Sequence, residues 1–217
     1  MKRMLVARPN FDDGTHYLHE WSSALIKEAQ NKGILITDVK GDDVTEKNII
    51  GKLGSIKPEM AFLNGHGTKS SFCGHQMEEV LNCESSKALK GTITYVRACD
   101  CLEELGGDAV SNGCRAFIGY GKPFWIPMQN EYTARPLQDP VAKPVMEASN
   151  QVMKELINGN SALQAVDASR KLANRHAAEI LFSKKFSGDI NANPTLKALL
   201  MNKGSLNLKG DSAASIS

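Results

Sequence analysis

The sequence lacks a long apolar run and an excess of charge of either sign. No apolar stretch approaches the roughly 20 residues that a membrane-spanning helix needs. The first apolar run, Met4 to Ala7, is also too short for the core of a signal peptide, so we expect a cytoplasmic protein. Lys and Arg number 26 against 24 Asp and Glu, a net charge of +2, so we expect neither nucleic acid nor a membrane as partner.

An even set of cysteines and a phosphate-binding loop are also missing. An odd number of cysteines without a signal peptide argues against a disulfide framework, so most of them should be free thiols. The five are Cys73, Cys83, Cys99, Cys101 and Cys114. No glycine-rich loop follows the first predicted strand, which makes a small-molecule or nucleotide-binding module a weak alternative. The 217 residues contain no internal repeat and suffice for one domain with a large core.

What the sequence does have is an alternation of apolar runs and amphipathic stretches over its first 121 residues. The apolar runs predict strands at 3–10, 33–41, 59–65, 92–98 and 114–121. Helical spacing of apolar residues predicts helices at 15–32, 44–56 and 101–113. This alternation is typical of a mostly parallel sheet covered by helices on both faces, the α/β class.

The chain changes character after residue 121, where prolines predict a long loop with one further short strand at Phe124 to Met128. The remaining predicted features are helices at 141–158 and 161–184, an apolar stretch at Leu196 to Met201, an edge strand at Ser205 to Lys209 and a frayed tail at 210–217. We expect a single domain, 1–217. Residues 1–128 would form its sheet core, and residues 129–217 would add the loop, helices and a closing strand.

Two residues that can do chemistry each follow a predicted strand. His66 stands in a Gly-His-Gly turn after "MAFLN", and Cys99 follows "TITYVRA". Because the carboxyl ends of parallel strands share one edge of the sheet, both residues should lie at that edge, where ligands gather. A lone histidine in a turn is more often structural, and a lone cysteine after a strand more often belongs to the core. Together they indicate a cysteine nucleophile with a histidine as acid and base.

The residues around this pair also suit acyl transfer. The backbone N–H groups of Gly67 and Cys99 are the expected donors to an oxyanion, and Gly65 and Gly67 let the backbone come close to a substrate. Cys99 begins, or lies just before, the helix predicted at 101–113. A helix N-terminus lowers the pKa of a nearby thiol, so we expect a reactive Cys99.

Apolar-His-Gly followed by apolar-x-Ala-Cys resembles the signature of the caspase-like cysteine peptidases of clan CD. The His–Cys gap of 33 residues is shorter than the caspase gap of about 50. "NGHGTKSSFCGH" and "YVRAC" are most similar to gingipains and CHAT domains. "DPVAKPVMEASNQVMKELINGNSALQAVDASR" resembles the helical half of those domains, and "LLMNKGSLNLKGD" resembles their closing strand.

The resemblance implies a caspase-like three-layer α/β sandwich and a cysteine endopeptidase with His66 and Cys99 as its dyad. The chain departs from the caspase pattern around the cysteine, because Gln-Ala-Cys-Arg-Gly is replaced by "RACDC", residues 97–101.

In this family the residue before the cut is selected by the loop after the first strand and by the residue two before the cysteine. Here these are Asp12 and Asp13, which would recruit Arg or Lys, and Arg97, which would recruit Asp or Glu. The aspartates and Arg97 could also pair with each other, so that neither charge would select a substrate. The gingipain-like motifs favour cleavage after a basic residue, with acidic specificity through Arg97 as the alternative. Trp125 and Phe124 are expected either to form an aromatic wall of the substrate pocket or to pack under the long loop.

Other functions remain open at this point. The same fold can serve as a catalytically inactive binding or scaffold protein. A metal site is a minor alternative. In Cys-Gly-His and Cys-Asp-Cys only one residue separates the two possible ligands, whereas about two to four residues usually separate zinc ligands. The members of that site would be Cys73, His75, Cys83, Cys99 and Cys101, and His75 is the fallback should His66 not be catalytic. We therefore predict no metal and no cofactor, with calcium dependence open, a protein or peptide substrate as partner, and no prediction of oligomeric state.

Overall fold

The computed structural model describes residues 2–183 and 193–216. The strands are β1 (Arg3–Arg8), β2 (Leu35–Lys40), β3 (Met60–Asn64), β4 (His66–Gly67), β5 (Ser71–Cys73), β6 (Glu79–Asn82), β7 (Ile93–Arg97), β8 (Ala116–Tyr120) and β9 (Leu206–Gly210). The helices are α1 (Asp13–Asn31), α2 (Glu46–Ile56), α3 (Glu104–Ser111), α4 (Lys143–Ile157), α5 (Ala162–Leu181) and α6 (Pro194–Ser205). The predicted end of the helix at residue 184 lies outside the described residues, as do both ends of the predicted domain.

The central sheet has six strands in the order β2-β1-β3-β7-β8-β9. The first five strands run parallel, and β9 pairs antiparallel with β8 at one edge. The predicted edge strand near the C-terminus is therefore confirmed. The strands β3, β7 and β8 are buried over their whole length, which is why they appear in the sequence as unbroken apolar runs.

Helices cover both faces of this sheet. One face packs against α1, α4 and the start of α5, and the other packs against α2, α3 and a small second sheet. The predicted three-layer α/β architecture with a mostly parallel sheet is confirmed. Within the described residues, no helix combines the length and the apolar character needed to cross a membrane.

The small second sheet was not predicted. Its strands β4, β5 and β6 are antiparallel and only two to four residues long, too short to leave an alternating pattern in the sequence. The strand predicted at Phe124 to Met128 is wrong, since this segment is an irregular loop. Pro123 and Pro127 remove two backbone donors there, and the free edge of β8 is occupied by β9.

The C-terminal part adds one helix and corrects one prediction. The apolar stretch at Leu196 to Met201, for which no element is predicted, belongs to α6, which Asn193 caps with its side chain and Pro194 begins. The tail is not frayed, because Ala214 and Ile216 are buried against the core. The carbonyl of Ala214 also accepts a 2.9 Å hydrogen bond from the N–H of Ala162, which satisfies a donor in the first turn of α5.

Candidate active site

His66 lies directly beyond β3, at the carboxyl-terminal edge of the sheet. Its backbone forms the start of β4, opposite Cys73. Its ring nitrogen Nε2 is 2.7 Å from Oδ2 of Asp12, so Nδ1 is the nitrogen left for other partners. Sequence analysis placed Asp12 in a substrate pocket, whereas the structure pairs it with the histidine.

Asp12 is also the N-cap of α1. Its Oδ1 accepts hydrogen bonds from the N–H and the hydroxyl of Thr15, at 2.7 and 2.8 Å, which leaves Oδ2 free for His66. Burial raises the pKa of Asp12, but the hydrogen bonds from Thr15 and His66 outweigh it and lower the pKa below its ordinary value. Asp12 is therefore a carboxylate that joins the helix start to the histidine.

Cys99 lies beyond the end of β7, on the same edge as His66. The residue after it, Asp100, has a φ of +58°, so the chain turns sharply immediately past the cysteine. The half-buried Sγ accepts a 3.3 Å hydrogen bond from the N–H of Phe124. Among the described residues, Sγ of Cys99 makes no hydrogen bond to His66.

The expected helix N-terminus at Cys99 is wrong. Helix α3 begins only at Glu104, and its first N–H groups are already bonded, those of Glu104 and Leu105 to the carbonyl of Lys69. Burial, and to a smaller extent the Asp100 carboxylate, raise the pKa of the Cys99 thiol, whereas the hydrogen bond from the N–H of Phe124 lowers it. The net result is a raised pKa. Desolvation thus acts on this thiol without an opposing helix dipole.

Alkylation of Cys99 by iodoacetamide is therefore expected to be slow at neutral pH. Only the thiolate reacts, so the rate should rise about tenfold per pH unit and level off above the ordinary thiol pKa of about 8.5. Asp100→Asn removes a carboxylate that raises this pKa, and it should move the profile to lower pH. Fragment mass spectra of the alkylated peptide assign the site. A midpoint near pH 7 in the unliganded protein would contradict the expectation.

Two backbone N–H groups beside Cys99 have no partner within the described residues, those of Gly67 and Cys99 itself. Thr68 N donates to Ser71 O, and the alternation of an antiparallel ladder then turns the N–H of Gly67 away from β5. A Cβ on Gly67 would lie 2.9 Å from the carbonyl oxygen of Cys99. Only glycine permits this approach of β4 to the cysteine.

A pocket of about 240 Å³ adjoins both candidate residues. Its lining is mainly apolar: Gly14, Thr15, Leu18, Gly65, His66, Ala98, Cys99, Phe124, Trp125, Ile126 and Met128. Asn202 of α6 holds the backbone of Trp125 through two hydrogen bonds, from Trp125 N at 2.9 Å and to Trp125 O at 2.8 Å. Trp125 lines the pocket, and α6 fixes the backbone of the loop that carries it.

Arg97 and Asp13 do not contribute charge to this lining. Arg97 is fully buried, and its guanidinium donates to Oδ1 of Asn64, Oδ1 of Asn150 and the carbonyl of Leu18. The expected opening of Arg97 to the pocket, and its pairing with the aspartates, are therefore wrong. Asp13 is exposed in the first turn of α1, and Asp12 is engaged by His66.

His75 lies outside the pocket. Phe11 stands between the two histidines, with its ring centroid 5.8 Å from that of His66 and 5.6 Å from that of His75. Nδ1 of His75 is 3.2 Å from Oδ1 of Asp42, a residue that does not line the pocket. In the described part of the chain, no three His, Cys, Asp or Glu side chains are grouped to hold a metal ion.

Sequence reasoning missed three contributors to the site. These are the Asp12 carboxylate as partner of His66, the Phe124 N–H as donor to Cys99, and Asn202 as the support of Trp125. The only local signal was the capping pattern at Asp12, which predicts a helix start but no histidine. The other two contacts join residues far apart in sequence and leave no pattern in it.

Two solved structures share this architecture. One, of a complex of Porphyromonas gingivalis RgpB pro- and mature domains, aligns with a TM-score of 0.55 and 13% identity over 98% of this chain and 47% of that one. The other, described as "Structure of Protease", aligns with a TM-score of 0.54 and 15% identity over 99% and 48%. This chain thus spans about half the length of each. The likeness confirms the expected caspase-like fold. No protein-family model and no curated sequence matches the chain.

Proposed function

We propose that this chain is a cysteine endopeptidase in which Cys99 is the nucleophile and His66 the acid–base residue. The observation that carries the proposal is that both side chains line one pocket, at the edge of the sheet where the parallel strands end. Ligands of open α/β sheets bind at this edge. The fold is shared with a structure described as a protease, which supports the same reaction class.

Because burial raises its pKa, Cys99 holds its proton at neutral pH, so His66 must first accept that proton. The sulfur then bonds to the substrate carbonyl carbon, the C–N bond breaks, and His66 returns the proton to the leaving amine. Water next adds to the acyl carbon, His66 again relays the proton, and the C–S bond breaks to restore the thiol. Catalytic hydrogen bonds often tighten only with substrate bound, which accounts for the missing contact between the two side chains here.

Asp12 has a positioning role in this proposal. Its carboxylate accepts from Nε2 of His66 and would stabilise the imidazolium formed when the histidine takes a proton. Because Oδ1 is fixed by the start of α1, the carboxylate has little freedom to rotate away from the ring. The helix cap thus orients the histidine and leaves Nδ1 for the thiol and the leaving group.

The unpartnered N–H groups of Gly67 and Cys99 are the proposed oxyanion donors. They come from two adjacent segments that Gly67 allows to approach closely. Donors fixed before the reaction stabilise the developing negative charge without reorganisation, which is the largest single contribution in many acyl transfers.

The proposal is tested with a panel of peptide acyloxymethyl ketones that carry Arg, Lys, Asp, Leu or Phe next to the reactive group. We expect at least one probe to form an adduct on Cys99 and none on Cys83, the other half-buried thiol. His66→Ala should abolish that adduct in folded protein. If no probe modifies Cys99, with or without calcium, the chain is not a peptidase in this state.

An inactive binding protein is the second candidate. It is favoured by the raised pKa of Cys99 and by the missing hydrogen bond between Cys99 and His66. In that case peptides would bind the pocket reversibly and would be recovered uncleaved. Titration with peptide followed by tryptophan fluorescence, together with chromatography of the same mixture for cleavage products, separates this outcome from catalysis.

A further inference from the structure

We propose that the pocket beside Cys99 selects a large apolar side chain of the peptide substrate, rather than a basic or an acidic one. This inference rests on the proposed peptidase function and adds its substrate class. It departs from the basic preference that the motifs alone favoured, because the side chains that would confer charge selectivity are engaged elsewhere.

The pocket lining supplies no counter-charge for a basic side chain. Among the described residues that line it, His66 is the only titratable group besides the thiol, and no carboxylate takes part. Asp12 gives one oxygen to the start of α1 and the other to His66. A lysine or arginine side chain entering this pocket would lose hydration without gaining an ion pair, which is unfavourable.

An acidic side chain finds no partner either. The guanidinium of Arg97, which does not line the pocket, bonds to two asparagine side chains and the Leu18 carbonyl. Its carbon Cζ also stands 4.8 Å from the ring centroid of Phe62. With no exposed surface, this guanidinium cannot meet a substrate carboxylate unless the core rearranges.

An apolar side chain, by contrast, would meet surfaces that match it. Leu18, Phe124, Trp125, Ile126 and Met128 all face the space beside Cys99. Transfer of apolar surface from water into such a pocket is favourable, and a preformed wall avoids the entropy of ordering it. The two hydrogen bonds between Asn202 and the backbone of Trp125 hold this segment in place before any substrate arrives.

The experiment compares rates of Cys99 inactivation by acyloxymethyl ketones with Leu, Phe, Met, Arg, Lys or Asp beside the reactive group. We expect the best apolar probe to react at least about 30-fold faster than any charged one, within the range that single side-chain changes in apolar pockets produce. Met128→Glu places a carboxylate on the pocket wall, at a residue that is 40% exposed. It should shift the ratio of Leu to Arg rates toward Arg by about tenfold.

Met77→Glu is the matched control, since Met77 is 53% exposed and does not line the pocket. It should leave the ratio unchanged. If Arg, Lys or Asp probes react fastest with Cys99, the apolar inference is overturned and the peptidase proposal stands. If the two glutamate variants behave alike, the selective surface lies elsewhere and the inference is likewise overturned. If no probe modifies Cys99 in folded protein, the peptidase proposal fails and the inference fails with it.

Discussion

In the proposed mechanism, alanine in place of Cys99 will abolish hydrolysis of peptides that are blocked at both ends, with a loss in kcat of about 10⁴-fold or more. No neighbouring thiol can replace the sulfur. Cys101 is fully buried, and its thiol donates to the Ser71 carbonyl at 3.3 Å. Burial also raises the pKa of the Cys101 thiol, which keeps it protonated. The measurement is the rate of product formation by chromatography.

Cys83→Ala is the control for this loss. Cys83 is half-buried like Cys99, and its thiol contacts the Ser70 carbonyl at 3.6 Å, away from the pocket lining. This variant should keep full activity, and both variants should unfold at similar denaturant concentrations. Substantial residual hydrolysis by Cys99→Ala would contradict the assignment of the nucleophile and point to a contaminating peptidase or another residue.

Methionine in place of Arg97 is expected to lower the free energy of unfolding by about 3–5 kcal/mol. Two effects oppose each other here. Burial lowers the pKa of Arg97 to about 10, which shows that the charge is costly to bury, although the group stays protonated at neutral pH. Its removal relieves that cost but leaves two buried acceptors without donors, Oδ1 of Asn64 and Oδ1 of Asn150, while the Leu18 carbonyl keeps its helical partner within α1. We expect the lost donors to outweigh the relieved charge.

Arg115→Met is the comparison for this prediction, because Arg115 is exposed and should change stability by no more than about 0.5 kcal/mol. Urea unfolding of the two variants and the parent measures the difference. An Arg97→Met protein as stable as Arg115→Met would show that the asparagines find other partners or water. Arg97→Lys keeps the charge but not the planar guanidinium, so its free energy of unfolding should fall between those of Arg97→Met and Arg115→Met.

The positions of the central strands along the chain could be predicted from the sequence, because strands buried on both faces must be apolar throughout. The placement of His66 and Cys99 at one edge followed from the parallel direction of β3 and β7. The short strands β4 to β6 could not be predicted, since two to four residues carry too little pattern. Helix α6 has a start signal in Asn193-Pro194, an N-cap residue followed by a proline at the first helical position.

The sequence alone determined the α/β class, the parallel sheet and the approach of a histidine and a cysteine at its edge, because local patterning and strand direction decide these features. Only the tertiary structure decided what the charged residues do. It paired Asp12 with a histidine 54 positions away, buried Arg97 among neutral acceptors and joined Trp125 to Asn202 across 77 positions. Burial, more than the neighbouring Asp100 carboxylate, raised the pKa of Cys99. Desolvation and long-range hydrogen bonds depend on which segments meet in space, which no local pattern contains.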